Sequence, residues 1–148
     1  MCRLPWIILL LAFALPAQAG RLLMVRSEQP FSETMLLLQE QVVAQGFKVS
    51  RVQRVDVGLT KMGFKTDKYR VVFFGEPEQI RDLSRRHPEL IPYLPLKIAI
   101  FAEGEETLLI TTDPREYEDF YRDPELKPVF EDWARRLRAI FDRIQEGD

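Results

Sequence analysis

Apolar positions along this chain change their spacing several times, and each change marks an element. Residues 21–26 (RLLMVR) form a short apolar run that predicts a first strand. Met35, Leu38 and Val42, supported by Leu36, Leu37 and Val43, then give a helix with a broad apolar face. Ser32 is placed to cap that helix, Glu33 suits its N-terminal dipole, and Gly46 fits the position that ends it. Phe47, Val49, Val55 and Val57 share one parity, as a half-buried strand requires, while Val52 breaks it and implies a bulge or twist. Residues 58–67 read as a connecting loop containing Gly63. Residues 69–75 (YRVVFFG) are almost continuously apolar and suit a central strand.

Proline sets the next boundaries. Pro77 starts a second helix, where its missing N–H costs nothing, and Ile80 and Leu83 face inward. Pro88 biases His87 away from helical angles, so the helix ends there. Pro92 and Pro95 frame a rigid connection, and residues 97–101 and 107–111 predict a hairpin around Gly104. Asp113-Pro114 caps a short helix reaching Tyr121, and Asp123-Pro124 or Lys127-Pro128 opens the last and longest one. On that helix Leu126, Val129, Phe130, Trp133, Leu137, Ile140, Phe141 and Ile144 line one face. The other face offers i, i+4 pairs: Glu131 with Arg135, Asp132 with Arg136, Arg138 with Asp142. Packing on its own sheet is the better account of the apolar stripe than a partner, since so large an exposed stripe would aggregate. The order β-α-β-β-α-β-β-α-α predicts an α+β fold, a single mainly antiparallel sheet with helices packed on one face. No repeat or linker divides residues 20–148, which read as one domain with a C-terminal helical segment from about 115.

The first residues follow another pattern. Arg3 is their only charge, residues 4–17 are an apolar run of 14, and Ala17, Gln18, Ala19 and Gly20 follow in A-x-A spacing. This describes a secretory signal peptide over residues 1–19, cleaved between Ala19 and Gly20. A retained membrane anchor is the rival reading, but a bilayer span takes about 20 apolar residues. Cleavage leaves a periplasmic or secreted chain of 129 residues with no thiol, because Cys2 departs with the leader. No stable membrane insertion is expected after cleavage, as no second long apolar run exists.

Composition narrows the chemistry. With 46% hydrophobic and 30% charged residues the chain is globular, and its net charge of −2 argues against a nucleic-acid binder. One Cys and one His exclude disulfide scaffolds and Cys- or His-rich metal sites. No nucleophile elbow, P-loop or dinucleotide fingerprint occurs, and no cofactor or metal is expected.

Three strings carry a family resemblance: FSET at residues 31–34, FGEP at 74–77 and LPLKI at 94–98. In this order and spacing they resemble the domain of unknown function family 302, over roughly residues 22–114. That family more often has Asn where this chain has Glu76, and often Asn-Pro where it has Asp113-Pro114; both departures keep a residue able to cap a helix. The resemblance implies an α+β domain, often a homodimer and often exported, in prokaryotes. It implies no established activity.

Charge is the most informative polar feature. Residues 48–70 carry a net +5 and residues 103–132 a net −8. Lys61, Lys65, Lys68 and Arg70, with Met62 and Phe64 interleaved, are the candidate ligand-binding residues, for a phosphate, an acidic glycan or lipid head groups. The blander reading is a solvated positive segment facing the acidic one of its own or a second subunit. His87 lies at a helix end, where a cation suits the dipole better than it suggests a general base. Glu103, Glu105, Glu106 and Asp113 flank the second hairpin and could serve hydrolysis or calcium, yet acids at hairpin tips are usually just solvated. The favoured reading is an exported, non-enzymatic binding or interaction module, homodimeric and able to take an anionic small molecule or glycan. The alternative is a small cofactor-free hydrolase using surface carboxylates or His87.

Overall fold

The computed structural model describes residues 21–147; the expected leader and the Ala19–Gly20 cleavage site lie outside the described residues. Among the described residues, no helix is long and apolar enough to cross a membrane.

Five strands form one open sheet: β1 (Leu22–Ser27), β2 (Lys48–Arg54), β3 (Tyr69–Gly75), β4 (Leu96–Glu103) and β5 (Glu106–Thr112). Their order is β1-β5-β4-β3-β2, and every neighbouring pair is antiparallel. The fold is therefore α+β, as expected. The first strand pairs with the last, Leu22 opposite Thr112, so the sheet is complete only when most of the chain is in place.

The helices α1 (Phe31–Ala44) and α5 (Lys127–Glu146) pack together on one face of this sheet. Val25, Val72, Phe74, Ile98, Ile100 and Leu109 point into this layer from the strands. Leu38 and Val42 from α1, and Phe130, Trp133, Leu137, Ile140 and Ile144 from α5, meet them. The apolar stripe of α5 is thus buried in its own domain. Helix α3 (Pro77–Arg86) is tied to α5 where Trp133 Nε1 donates to Gln79 Oε1 at 2.8 Å. A 3-10 turn, Pro88–Tyr93, leads from α3 to β4, and a second, Pro114–Glu116, leads from β5 into the one-turn α4 (Tyr117–Phe120).

Three local expectations need correction. The strand expected to reach Val57 ends at Arg54, and Val55–Lys61 forms a helix, α2, inside the stretch expected as strand and loop. Val55 and Leu59 stand i, i+4, so the same residues fit either period. Tertiary contact decides, because Asp56 in the first turn of α2 pairs with Arg70 of β3. Second, Pro30 rather than Ser32 is the N-cap of α1, its carbonyl taking the Glu33 and Thr34 amides at 3.0 Å each. The expected bulge is present: an irregularity between Val49 and Arg51 brings Val49 and Val52 both against the core. Third, on α5 only the Asp132–Arg136 ion pair forms as expected; Glu131 pairs with Lys127, Arg135 with Asp132 and Arg138 with Asp113.

Candidate functional site

The FSET, FGEP and LPLKI strings serve the fold. Phe31 opens α1 and lies beneath the cations of Lys68 and Arg70, each 5.8 Å from its ring centroid. Thr34 is fully buried, its hydroxyl within reach of the Gln29 and Pro30 carbonyls at 3.1 and 3.2 Å. Thr107 of β5 donates to the same Gln29 carbonyl at 3.0 Å, so one small polar knot joins the β1–α1 turn to the sheet. Gly75 gives Ile80 room, since a Cβ there would sit 2.4 Å from Ile80 Cδ1. Glu76 does not cap α3 with its side chain; its carboxylate holds Arg136. Pro95 of the third string follows a cis peptide bond with Leu94.

Arg136 is the centre of this end of the molecule. Its guanidinium stacks 3.6 Å over the Phe47 ring. Its Nε and Nη2 donate to the Gln45 carbonyl at 2.9 and 2.6 Å, and its Nη1 reaches Glu76 and Asp132. Sequence reading gave Arg136 only a helix-surface partner. The signal it missed is the free carbonyl at the end of α1, close in space and far along the chain.

Asp113 caps the turn after β5 as expected, accepting the Arg115 amide at 3.1 Å, but it is 2% exposed rather than solvated. Arg115 and Arg138 hold its carboxylate at 2.6 and 2.7 Å. Glu103 and Glu106 face each other at the other end of β5, roughly 24 Å away at about 3.4 Å per residue. The expected acids are therefore not gathered at one place.

His87 ends α3 as expected, yet it is buried, at 8% exposure. Its Nδ1 lies 3.4 Å from Glu89 and 3.7 Å from Asp123, and its Nε2 lies 3.8 Å from Glu125 with no hydrogen-bond partner. Among the described residues no group of three or more His, Asp or Glu is arranged to hold a metal ion.

The basic segment divides in two. Arg70 is committed to Asp56, both largely buried, and its hydrogen bond holds the Asp56 carboxyl below the usual carboxylate range. Lys61 and Lys65 stand exposed beside exposed Met62 and Phe64, and Lys68 rests against Phe31. The structure brings Lys68 and Arg70 together over one ring but leaves Lys61 and Lys65 on a separate turn.

The second face of the sheet carries no helix layer. Tyr69, Val71 and Phe73 of β3 lie there beside Ala99 and Phe101 of β4 and Leu108 and Ile110 of β5, none of them fully buried. A groove of about 640 Å³ runs over this face, walled at one end by Pro92, Tyr93 and Tyr117. Burial pushes the Tyr117 hydroxyl up in pKa, and a hydrogen bond with Tyr93 does the same for Tyr121. Tyr93 and Tyr117, 4.8 Å apart between ring centroids, make this end of the groove aromatic.

No curated protein matches the chain. A crystal structure titled as an uncharacterized conserved protein DUF302 from Bacillus stearothermophilus is similar, with a TM-score of 0.75 and 23% sequence identity. The match covers 85% of this chain and 99% of that one, and at this identity it speaks for the fold alone. The family model described as "Domain of unknown function DUF302" matches residues 23–144, nearly the whole described domain, and the chain belongs to that family.

Proposed function

We propose that the domain is an exported, non-enzymatic interaction module that works as a pair of identical copies joined through the open faces of their sheets. One observation carries this reading. On the open face the central strand β4 presents Lys97, Ala99, Phe101 and Glu103 in a row. Reversed about its midpoint, the row complements itself: Lys97 meets the partner's Glu103, which Arg26 of its own β1 also holds at 3.0 Å, and the small Ala99 meets the partner's Phe101. A two-fold interface needs this relation, in which residue i contacts j and j contacts i. The flanking Val71, Phe73 and Ile110 supply the apolar area, and two such sheets would stack about 10 Å apart.

Light scattering across a hundredfold concentration range tests it. A dimer is expected, with Phe101→Glu monomeric and Lys97→Glu weakened, and Lys97→Glu/Glu103→Lys restored. A monomeric wild type at every concentration, or a dimer indifferent to Phe101→Glu, overturns the reading. Mass spectrometry of the exported protein tests the leader, and a first residue at Gly20 is expected.

A second surface supports the anion-binding reading. Lys61 and Lys65 have no carboxylate partner among the described residues, whereas Arg70 is neutralised by Asp56. Replacing Lys61, Lys65 and Lys68 with Glu should weaken binding of an anion, most visibly at low salt. The hydrolase alternative draws no support from acids placed at opposite ends of β5.

A further inference from the structure

Two helices of this domain end in the same way and send the same residue type in opposite directions. At the end of α1 the Gly46 amide bonds to the Val43 carbonyl at 2.9 Å and the Phe47 amide to the Val42 carbonyl at 3.2 Å. At the end of α2 the Gly63 amide bonds to Thr60 and the Phe64 amide to Leu59, each at 3.0 Å. Both glycines take positive φ, +83° and +88°. These are Schellman ends, and an aromatic after such a glycine commonly packs back on its helix. Phe47 turns into the core, 2% exposed, against Phe74 of β3 and beneath Arg136 of α5. Phe64 does not: it is 62% exposed, beside Met62 at 66%. The turn holding them is closed by backbone hydrogen bonds, so both side chains are displayed from a fixed backbone.

Lys61 and Lys65 bracket this pair, giving the tip the order Lys-Met-Gly-Phe-Lys. Neither lysine meets a carboxylate among the described residues, because the Asp56 carboxylate of the same helix is taken by Arg70. The edge strand β2 adds Lys48, Arg51 and Arg54 on the same segment, although there charge also guards an open sheet edge.

The geometry points to this turn as a membrane-docking tip that inserts Met62 and Phe64 among the head groups of an anionic bilayer. Size argues for a bilayer over a protein: a specific protein interface buries about 800 Å² on each partner, more than five residues of a projecting turn offer. A bilayer needs only a few apolar side chains that reach the acyl boundary, with cations placed to meet phosphate. Lysine suits this position, because its stem follows the apolar side chains while the ammonium stays at head-group level. The proposal rests on the anion-binding reading of the same lysines and names the anion as a lipid surface.

The full chain is tested by co-sedimentation with phosphatidylcholine vesicles, pure or rich in phosphatidylglycerol. Variants and wild type run side by side, so the apolar leader contributes equally to each. Wild type should bind the anionic vesicles more tightly than the pure ones. Lys61→Gln/Lys65→Gln should lose roughly twenty-five-fold, about fivefold for each lysine. Met62→Ala/Phe64→Ala, which removes only exposed groups and should fold normally, should lose about tenfold or more. A Phe64→Trp variant should show added indole emission that brominated lipid quenches. Vesicle binding equal in wild type and Met62→Ala/Phe64→Ala, or no quenching at position 64, overturns the membrane proposal. Dextran sulfate separates the two readings: lysine-dependent binding to it without vesicle binding keeps the anion reading and rejects the lipid one. Indifference to both probes rejects both.

Discussion

Arg136 lies over the ring of Phe47 with its guanidinium carbon 3.6 Å from the ring centroid, while two of its nitrogens donate to the carbonyl of Gln45. Through these contacts α5 closes the end of α1 and, through Glu76, the start of α3. The cation replaces the amides that a helix C-terminus lacks and answers the negative end of the α1 dipole.

Arg136→Met should therefore cost about 2–4 kcal/mol, since it leaves a carbonyl and a carboxylate without their charged donor. Arg136→Lys keeps the charge but loses the planar stack and the paired donors, and should recover less than half of that. Urea unfolding of the three proteins measures both. A double-mutant cycle with Phe47→Leu should return a coupling of about 1 kcal/mol.

Trp133 should be the costliest aromatic on α5 to remove. It is buried, packs against Phe130 at 5.9 Å between centroids, and donates to Gln79 of α3. Trp133→Ala should lose about 3–5 kcal/mol, and the loss should not depend on protein concentration. Thermal melts over a hundredfold concentration range check this. An unchanged midpoint at low concentration would reassign α5 from the monomer core to an association element.

His87 should matter more to folding than a histidine on a helix surface does. Its ring is buried between α3 and the segment around Asp123 and Glu125. His87→Ala should cost about 1–3 kcal/mol, the range for a buried polar side chain lost with its cavity. Denaturant melts measure it, and a change under about 0.5 kcal/mol, the usual size of a surface substitution, would return His87 to the surface.

The Asp56–Arg70 pair should shape the acid side of the stability curve. Arg70 holds the Asp56 carboxyl below its ordinary range, so the folded state favours the charged form. That stabilisation is present above about pH 4 and is lost as pH falls through the lowered value. Asp56→Asn should cost about 1 kcal/mol at neutral pH and flatten the fall in stability below pH 4. Asp82, lowered by Arg86 and Arg85, keeps part of that slope. Unfolding at pH 3 and pH 7 compares the two proteins.

Helix ends and strand faces were legible in the sequence because they depend on neighbours a few residues apart. Gly46 after Val42 and Val43 announced the end of α1, and the misplaced parity of Val52 announced the irregularity in β2. The stripe from Leu126 to Ile144 announced a buried helix, since eight apolar side chains on one face have to be covered. Helix α2 escaped because Val55 and Leu59 fit both periods while Val57 extends the strand alternation, and the pairing of Asp56 with Arg70, 14 residues on, favours the helix. Spacing selected Asp132 as a partner of Arg136, but its other partners, Glu76 and Gln45, are 60 and 91 residues distant, and no local pattern selects them. The same holds for the candidate surfaces. Alternation along β4 showed that Lys97, Ala99, Phe101 and Glu103 share a face, but the packing of α1 and α5 decided that this face stays open. Basic residues from 48 to 70 were visible as a run of charge; folding set Arg70 against Asp56 and left Lys61 and Lys65 beside an exposed phenylalanine. Local periodicity reports which side chains point together, whereas burial and ion pairing depend on what the rest of the chain brings against them.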